Sequence, residues 1–123
     1  MRLTFLGKDS TPGESPTLYA TDRNSYVVQG WIVTDPEVLV GLDLSDDETV
    51  VEVTAKLMTH LGKDGLGAVR NLIPPIVRIL GNGNYIVQGT RVWDSETLGQ
   101  MTIPGHETCV EVPKVSMLSL TGG

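Results

Sequence analysis

Two histidines, one cysteine and four recurring pairs of carboxylates are the residues of this chain best suited to catalysis or metal binding. Cys109 follows His106 by three positions. A nucleophilic thiol needs a base within hydrogen-bond reach and a third group that orients the base. No such third group is evident, and His60, the other histidine, is far away in the chain. The paired acids are Asp35/Asp94, Glu37/Glu96, Glu48/Glu107 and Glu52/Glu111. If the pairs met, they would offer a symmetric acid–base or metal site. Simpler roles suit three of them: the first two pairs stand where helices start, and Glu52 and Glu111 take solvent-facing strand positions. Gly81-Asn82-Gly83 lacks the Lys-Ser/Thr and the following helix of a phosphate loop and reads as a turn. The expectation is a chain with no catalytic residue, no metal and no cofactor.

The acids recur because the chain repeats itself. Tyr26-Val27-Val28-Gln29-Gly30 returns as Tyr85-Ile86-Val87-Gln88-Gly89, and Glu48-Thr-Val-Val-Glu-Val53 returns as Glu107-Thr-Cys-Val-Glu-Val112. Both spacings are 59, and an ungapped comparison of 15–58 with 74–117 gives 15 identities in 44 positions. An internal repeat constrains architecture more than any motif here. The repeats, about 6–60 and 61–118, are each marginal alone, because a chain so short buries too little surface. One compact domain over 1–123, with two similar halves sharing a core, is the expected outcome.

Each copy reads as strand, turn, strand, short helix, strand. Thr17 to Ala20 and Ile76 to Leu80 are first strands; Tyr26 to Val33 and Tyr85 to Val92 are second strands. Asn82-Gly83 predicts a type I′ hairpin turn, which needs positive φ at both central residues. Gly30 and Gly89 lie inside strands and imply a bulge or a close backbone approach. Asp35-Pro36-Glu37 supplies an N-cap, a first-turn proline and a first-turn acid, and Asp94-Ser95-Glu96 keeps the acids. A helix of about two turns follows, with Leu39 and Leu42 on one face. Residues 54–61 look weakly helical, whereas Pro113 blocks a helix at the matching place. The segment 9–16 is rich in loop formers, and 62–73 reads as a linker. The fold class is α+β, mostly β: a tandem duplication forming one pseudo-twofold sheet or barrel.

Net charge is −6, and all of it falls in residues 1–60; residues 61–123 balance five acids against five bases. Such a surface repels phosphate backbone, which disfavours nucleic acid as a partner and suits a basic protein partner. With no apolar run near the ~20 residues of a membrane helix, and too short an apolar stretch at the N-terminus for a signal peptide, the chain reads as cytoplasmic with no membrane partner. The lone Cys109, aligned with Val50, reads as a small buried apolar residue.

Departures from the repeat are where function is expected. Trp31 aligns with Thr90, Trp93 with Thr34, Arg78 with Tyr19, Arg91 with Ile32, and Asp46-Asp47 with Gly105-His106. Tryptophan and arginine favour binding hot spots. Trp31, Trp93, Arg78, Arg91, Asp46 and Asp47 are therefore the candidate partner-binding residues.

Residues 1–60, through Arg2-Leu-Thr-Phe-Leu-Gly-Lys8, Ser15-Pro-Thr-Leu-Tyr-Ala-Thr-Asp-Arg23, Tyr26-Val-Val-Gln-Gly-Trp31 and Val33-Thr-Asp-Pro36, resemble small actinobacterial proteins of uncharacterised function. Those are encoded beside helix-turn-helix regulators of development, in the BldB/WhiJ neighbourhood style. The second half carries the likeness through Val-Gln-Gly and Glu-Thr-Cys-Val-Glu-Val. Val33 to Val53 and Val92 to Val112 are also similar in pattern to the swapped-hairpin DNA-binding units of AbrB and MazE type. Those units present basic side chains to DNA; here only Arg23, Arg78 and Arg91 are on offer. The first resemblance implies a regulatory, transcription-associated protein that acts through a protein partner, a helix-turn-helix regulator. The second implies a direct DNA-binding regulator or antitoxin. Either a monomer with dimer-like halves or a homodimer satisfies the repeat.

Overall fold

The computed structural model describes residues 1–9 and 16–122. It is mostly β: seven strands, all paired antiparallel in one sheet, with a few short helices. The strands are β1 (Leu3–Lys8), β2 (Thr17–Thr21), β3 (Ser25–Ile32), β4 (Glu48–Val53), β5 (Ile76–Ile79), β6 (Tyr85–Arg91) and β7 (Glu107–Pro113). The helices are α1 (Pro36–Leu39), α2 (Ala55–Met58), α3 (Ser95–Leu98) and α4 (Lys114–Thr121). Most of the predicted loop 9–16 lies outside the described residues.

The pairings recur at the spacing of 59. β2 and β5 form hairpins with β3 and β6. Tyr26 lies opposite Val112, and Tyr85 lies opposite Val53. Trp31 lies opposite Glu52, and Thr90 lies opposite Glu111. Each second strand therefore runs alongside the third strand of the other half, and β3, β4, β6 and β7 close a ring of neighbours. Inward-facing apolar residues fill it: Tyr26, Val28, Val51, Val53, Val87, Val110 and Val112 are all buried. Alternation along the strands explains the pattern, with the intervening residues turned away. A second cluster, Val38, Val50 and Ile86, packs under α1. Its aligned counterparts, Thr97, Cys109 and Val27, are buried as well.

Gly30 marks where β3 exchanges one neighbour for another. Its edge follows β2 as far as Gln29 and β4 from Trp31 onward. The register against β7 runs unbroken through Gly30, so of the two expectations, a bulge or a close approach, the bulge is absent there. The glycine is required by close approach instead: a Cβ would stand 2.4 Å from the Glu52 carbonyl oxygen. The aligned Gly89 meets the Glu111 carbonyl in the same way, at 2.6 Å.

Other expectations need correction. The Leu80–Asn84 turn has positive φ at Gly83 alone, with the Gly83 N–H donating to the Leu80 carbonyl. That is a type I turn closed by a left-handed residue, not type I′. The aligned Asn24 takes the same left-handed conformation, φ 58°. Helices α1 and α3 are one turn each, not two; Asp35 caps the Glu37 N–H and Asp94 the Thr97 N–H. Pro113 does not block a helix. It stands as the N-cap of the longest one, α4, at φ −58° and ψ 143°, ahead of the first helical turn, where a proline ring has no preceding turn to clash with. The predicted linker is partly built in: Thr59–Asp64 is a 3₁₀ helix, Leu66 is buried, and the Arg70 and Asn71 N–H groups donate to the Leu120 carbonyl.

Candidate interaction site

The strongest polar constellation comes from the repeated Val-Gln-Gly and the repeated acids. Gln29 donates through Nε2 to Glu107 Oε1 (2.7 Å) and to the Thr102 carbonyl (2.9 Å). Gln88 donates through Nε2 to Glu48 Oε1 (3.1 Å) and to the Asp43 carbonyl (3.1 Å). All four partners are aligned at 59, so each glutamine reaches across to the other half. The two copies then differ. Gln29 and Glu107 are buried, and Gln29 Oε1 and Glu107 Oε2 have no hydrogen-bond partner. Gln88 and Glu48 are only half-buried and line an open cavity of about 640 Å³.

That cavity is walled by the loop after α1 (Gly41, Leu42, Asp43), the approach to β5 (Pro74, Pro75, Val77) and the β6 residues Gln88 to Thr90. The end of β7 and start of α4 complete it. Its ionisable lining is Asp43, Glu48 and Glu111, with no lysine, arginine or histidine. The Ser45 backbone N–H, followed by Ser45 and Gln88 side-chain contacts, holds the Glu48 carboxyl below its ordinary range. Glu111 already pairs with Arg23 and accepts from the Ser25 hydroxyl. Apolar side chains adjoin the lining in sequence: Val40, 85% exposed, beside Gly41; Ile73 beside Pro74; Val115 beside Ser116.

The catalytic alternatives look different in three dimensions. Cys109 is buried, and burial, with the Asp94 charge behind it, pushes its thiol up to about 11. His106 turns its Nε2 toward Glu107 Oε2, 3.5 Å away. His60 packs on Gly7, where a Cβ would collide with the imidazole. The paired acids serve separate roles: Asp35 and Asp94 cap helices, and Glu52 accepts from Asn84 Nδ2 (2.8 Å). Glu52 and Glu111 are half-buried and hydrogen-bonded, not turned freely to solvent as the strand pattern suggested. Among the described residues no three of His, Cys, Asp and Glu gather in a metal-binding group.

The six residues singled out from the sequence do not form one patch in the cavity wall; none of them lines it. Trp93 is 72% exposed just after β6, whereas Trp31 is half-buried between Glu52 and Glu107. Arg78 donates to the Glu37 carbonyl (3.1 Å), and the Arg91 N–H donates to the Asp47 carbonyl (2.8 Å). Asp46 and Asp47 are exposed. Arg78, Arg91 and Asp47 each adjoin a lining residue in the chain. The Gln88–Glu48 pair was missed, although identical Gln and Glu at both aligned positions were its visible signal. No helix among the described residues is long and apolar enough to cross a membrane. Comparison with protein-family models, curated proteins and solved structures finds no match for this chain.

Proposed function

We propose that this chain is a non-enzymatic protein-interaction module, built by tandem duplication of a half-sized unit whose copies exchange strands about a pseudo-twofold axis. The duplication reading draws support from the shared register, the aligned left-handed residues Asn24 and Gly83, and the matched glutamine–glutamate pairs. The observation that carries the functional reading is the open cavity with an acidic lining, whose lining residues are flanked in the chain by the exposed Val40, Ile73 and Val115, in a chain of net charge −6. Charge-complementary surfaces with apolar neighbours suit protein partners better than nucleic acid. The resemblance of residues 1–60 names the partner class: a helix-turn-helix regulator, which makes the module transcription-associated.

The test is site-specific crosslinking. A photoreactive amino acid at Thr90, in the cavity wall, is expected to capture a discrete partner in the native cell, and the same probe at exposed Asp22 is not. Equal capture from both positions, or from neither, contradicts the reading.

A further inference from the structure

The two ends of the sheet are not alike. β2 has its outer edge covered by β1, with Thr4 opposite Ala20 and Lys8 opposite Thr17. β5, which aligns with β2, has no such cover; among the described residues its strand partner is β6 alone. The stretch that would match β1, 62–67, contains no strand. The Leu80 N–H donates inward to the Asn84 carbonyl (2.9 Å), so alternation along the strand turns the Ile79 N–H outward. The Ile79 residue is 44% exposed.

The first half shows what such an edge holds. Beyond β1, the Asp9 N–H donates to the Pro16 carbonyl (2.9 Å), and the Asp9 carboxylate accepts from the Thr54 hydroxyl (2.6 Å). Pro16 and Thr54 align with Pro75 and Pro113, and both prolines line the open cavity. Trp31 places an indole where the cavity wall has only Thr90. Among the described residues, the chain thus supplies its own extended segment to one edge and none to the aligned edge with its cavity.

We infer that the outer edge of β5 and the adjoining cavity accept an extended segment of a partner protein, added antiparallel as a further strand, with a lysine or arginine side chain entering the cavity. Main-chain hydrogen bonds to an exposed edge give such additions their affinity, and side-chain pockets give them specificity. The basic side chain follows from the lining: Asp43 and Glu48 face the cavity with no cation among its walls, whereas Glu111 is already paired with Arg23. The register shift between Ile76 and Arg78 breaks the flatness of the edge and discourages indiscriminate self-pairing.

The inference rests on the interaction-module reading, and the two fail differently. The probe is a fluorescent peptide copying Arg2 to Asp9 with Asp9→Lys, which keeps the strand that covers β2 and adds the cation. Anisotropy titrations at low salt are expected to show saturable binding to the full chain. Ile79→Pro, which removes an outward N–H while sparing the ladder to β6, is expected to weaken binding about tenfold or more. Ile79→Glu, a gentler change to the edge, and Glu48→Gln, which keeps the Gln88 contact, are each expected to weaken it several-fold (about threefold or more). Circular dichroism confirms that each variant is folded. No saturable binding, or equal binding by the folded Ile79 variants, overturns strand addition. So does a homodimer that Ile79→Pro converts to monomer in light scattering, because the occupant is then a second copy. Continued capture through Thr90 in any of those cases leaves the module reading standing, and loss of capture with intact peptide binding removes the module reading alone.

Discussion

Gly30 lies directly against the carbonyl oxygen of Glu52, so close that a Cβ would stand 2.4 Å away. The blocking atom is backbone of the neighbouring strand, which cannot swing aside as a flexible side chain would. Gly30→Ala is therefore expected to destabilise the fold by about 3 kcal/mol, the upper range for overpacking. Gly89→Ala, against the Glu111 carbonyl, should cost a similar amount. Urea denaturation checks both: the midpoint should fall with the slope unchanged. A loss below about 1 kcal/mol would show that the two strands separate easily there.

The Tyr26 hydroxyl donates to the Asp64 carboxylate, and Lys114 Nζ lies 3.2 Å from the same oxygen. The Tyr26 contact first, and Lys114 second, hold the Asp64 carboxyl below its ordinary value, while burial and the Asp64 bond raise the Tyr26 phenol. A depressed native pKa stabilises the fold above the unfolded value, near about 3.9, and that stability is lost as pH falls through the native value. Asp64→Asn should therefore flatten the acid limb of a stability–pH curve below about pH 4, with little change in its shape near neutrality. Thermal unfolding across pH 2 to 7, a range of about five units, reads this directly.

Leu120 is fully buried on α4, the helix that Pro113 introduces. Leu120→Ala should cost about 3 kcal/mol through lost burial and the cavity it leaves. A near-neutral result by calorimetry would mean that α4 is dispensable to the core.

Gly83 holds φ 90° and Asn24 φ 58° in aligned turns. A Cβ is strained in that region, with asparagine the best tolerated non-glycine residue. Gly83→Ala is expected to lose about 1 kcal/mol, and Asn24→Gly to be neutral or gain a few tenths. Chemical denaturation of the two variants side by side decides it; a loss from Asn24→Gly larger than that from Gly83→Ala contradicts the shared turn.

Cys109 combines burial with a thiol raised to about 11. Thiolate is the reactive form, so labelling of the native chain by a disulfide reagent at pH 8 should be at least about a hundredfold slower than in urea. Rapid native labelling would reopen the case for a reactive site.

Local signals in the sequence were reliable where one residue type has one strong physical use. Asp35-Pro36-Glu37 named a helix start, and the repeated Tyr-x-Val-Gln-Gly named a strand in each half. Pro113 misled because proline marks helix beginnings as readily as ends, and only the geometry of the preceding strand decides which. Gly30 left two readings open, because a bulge and a close approach leave the same mark in a chain read alone, and the structure selects the close approach. The cavity was not legible, because its wall joins Glu48 to Gln88 and Pro75 to Pro113, residues far apart in the chain that meet through the pairing of β4 and β7 with β6.

The closed ring of β3, β4, β6 and β7 has a consequence for how the molecule is made. On the ribosome, β3 and β4 emerge long before β7 and β6 exist to receive them. The nascent N-terminal portion must wait, with apolar side chains uncovered, until about residue 113 has left the exit tunnel. A chain truncated between α2 and β5 would be expected to seek the missing strands in another copy of itself.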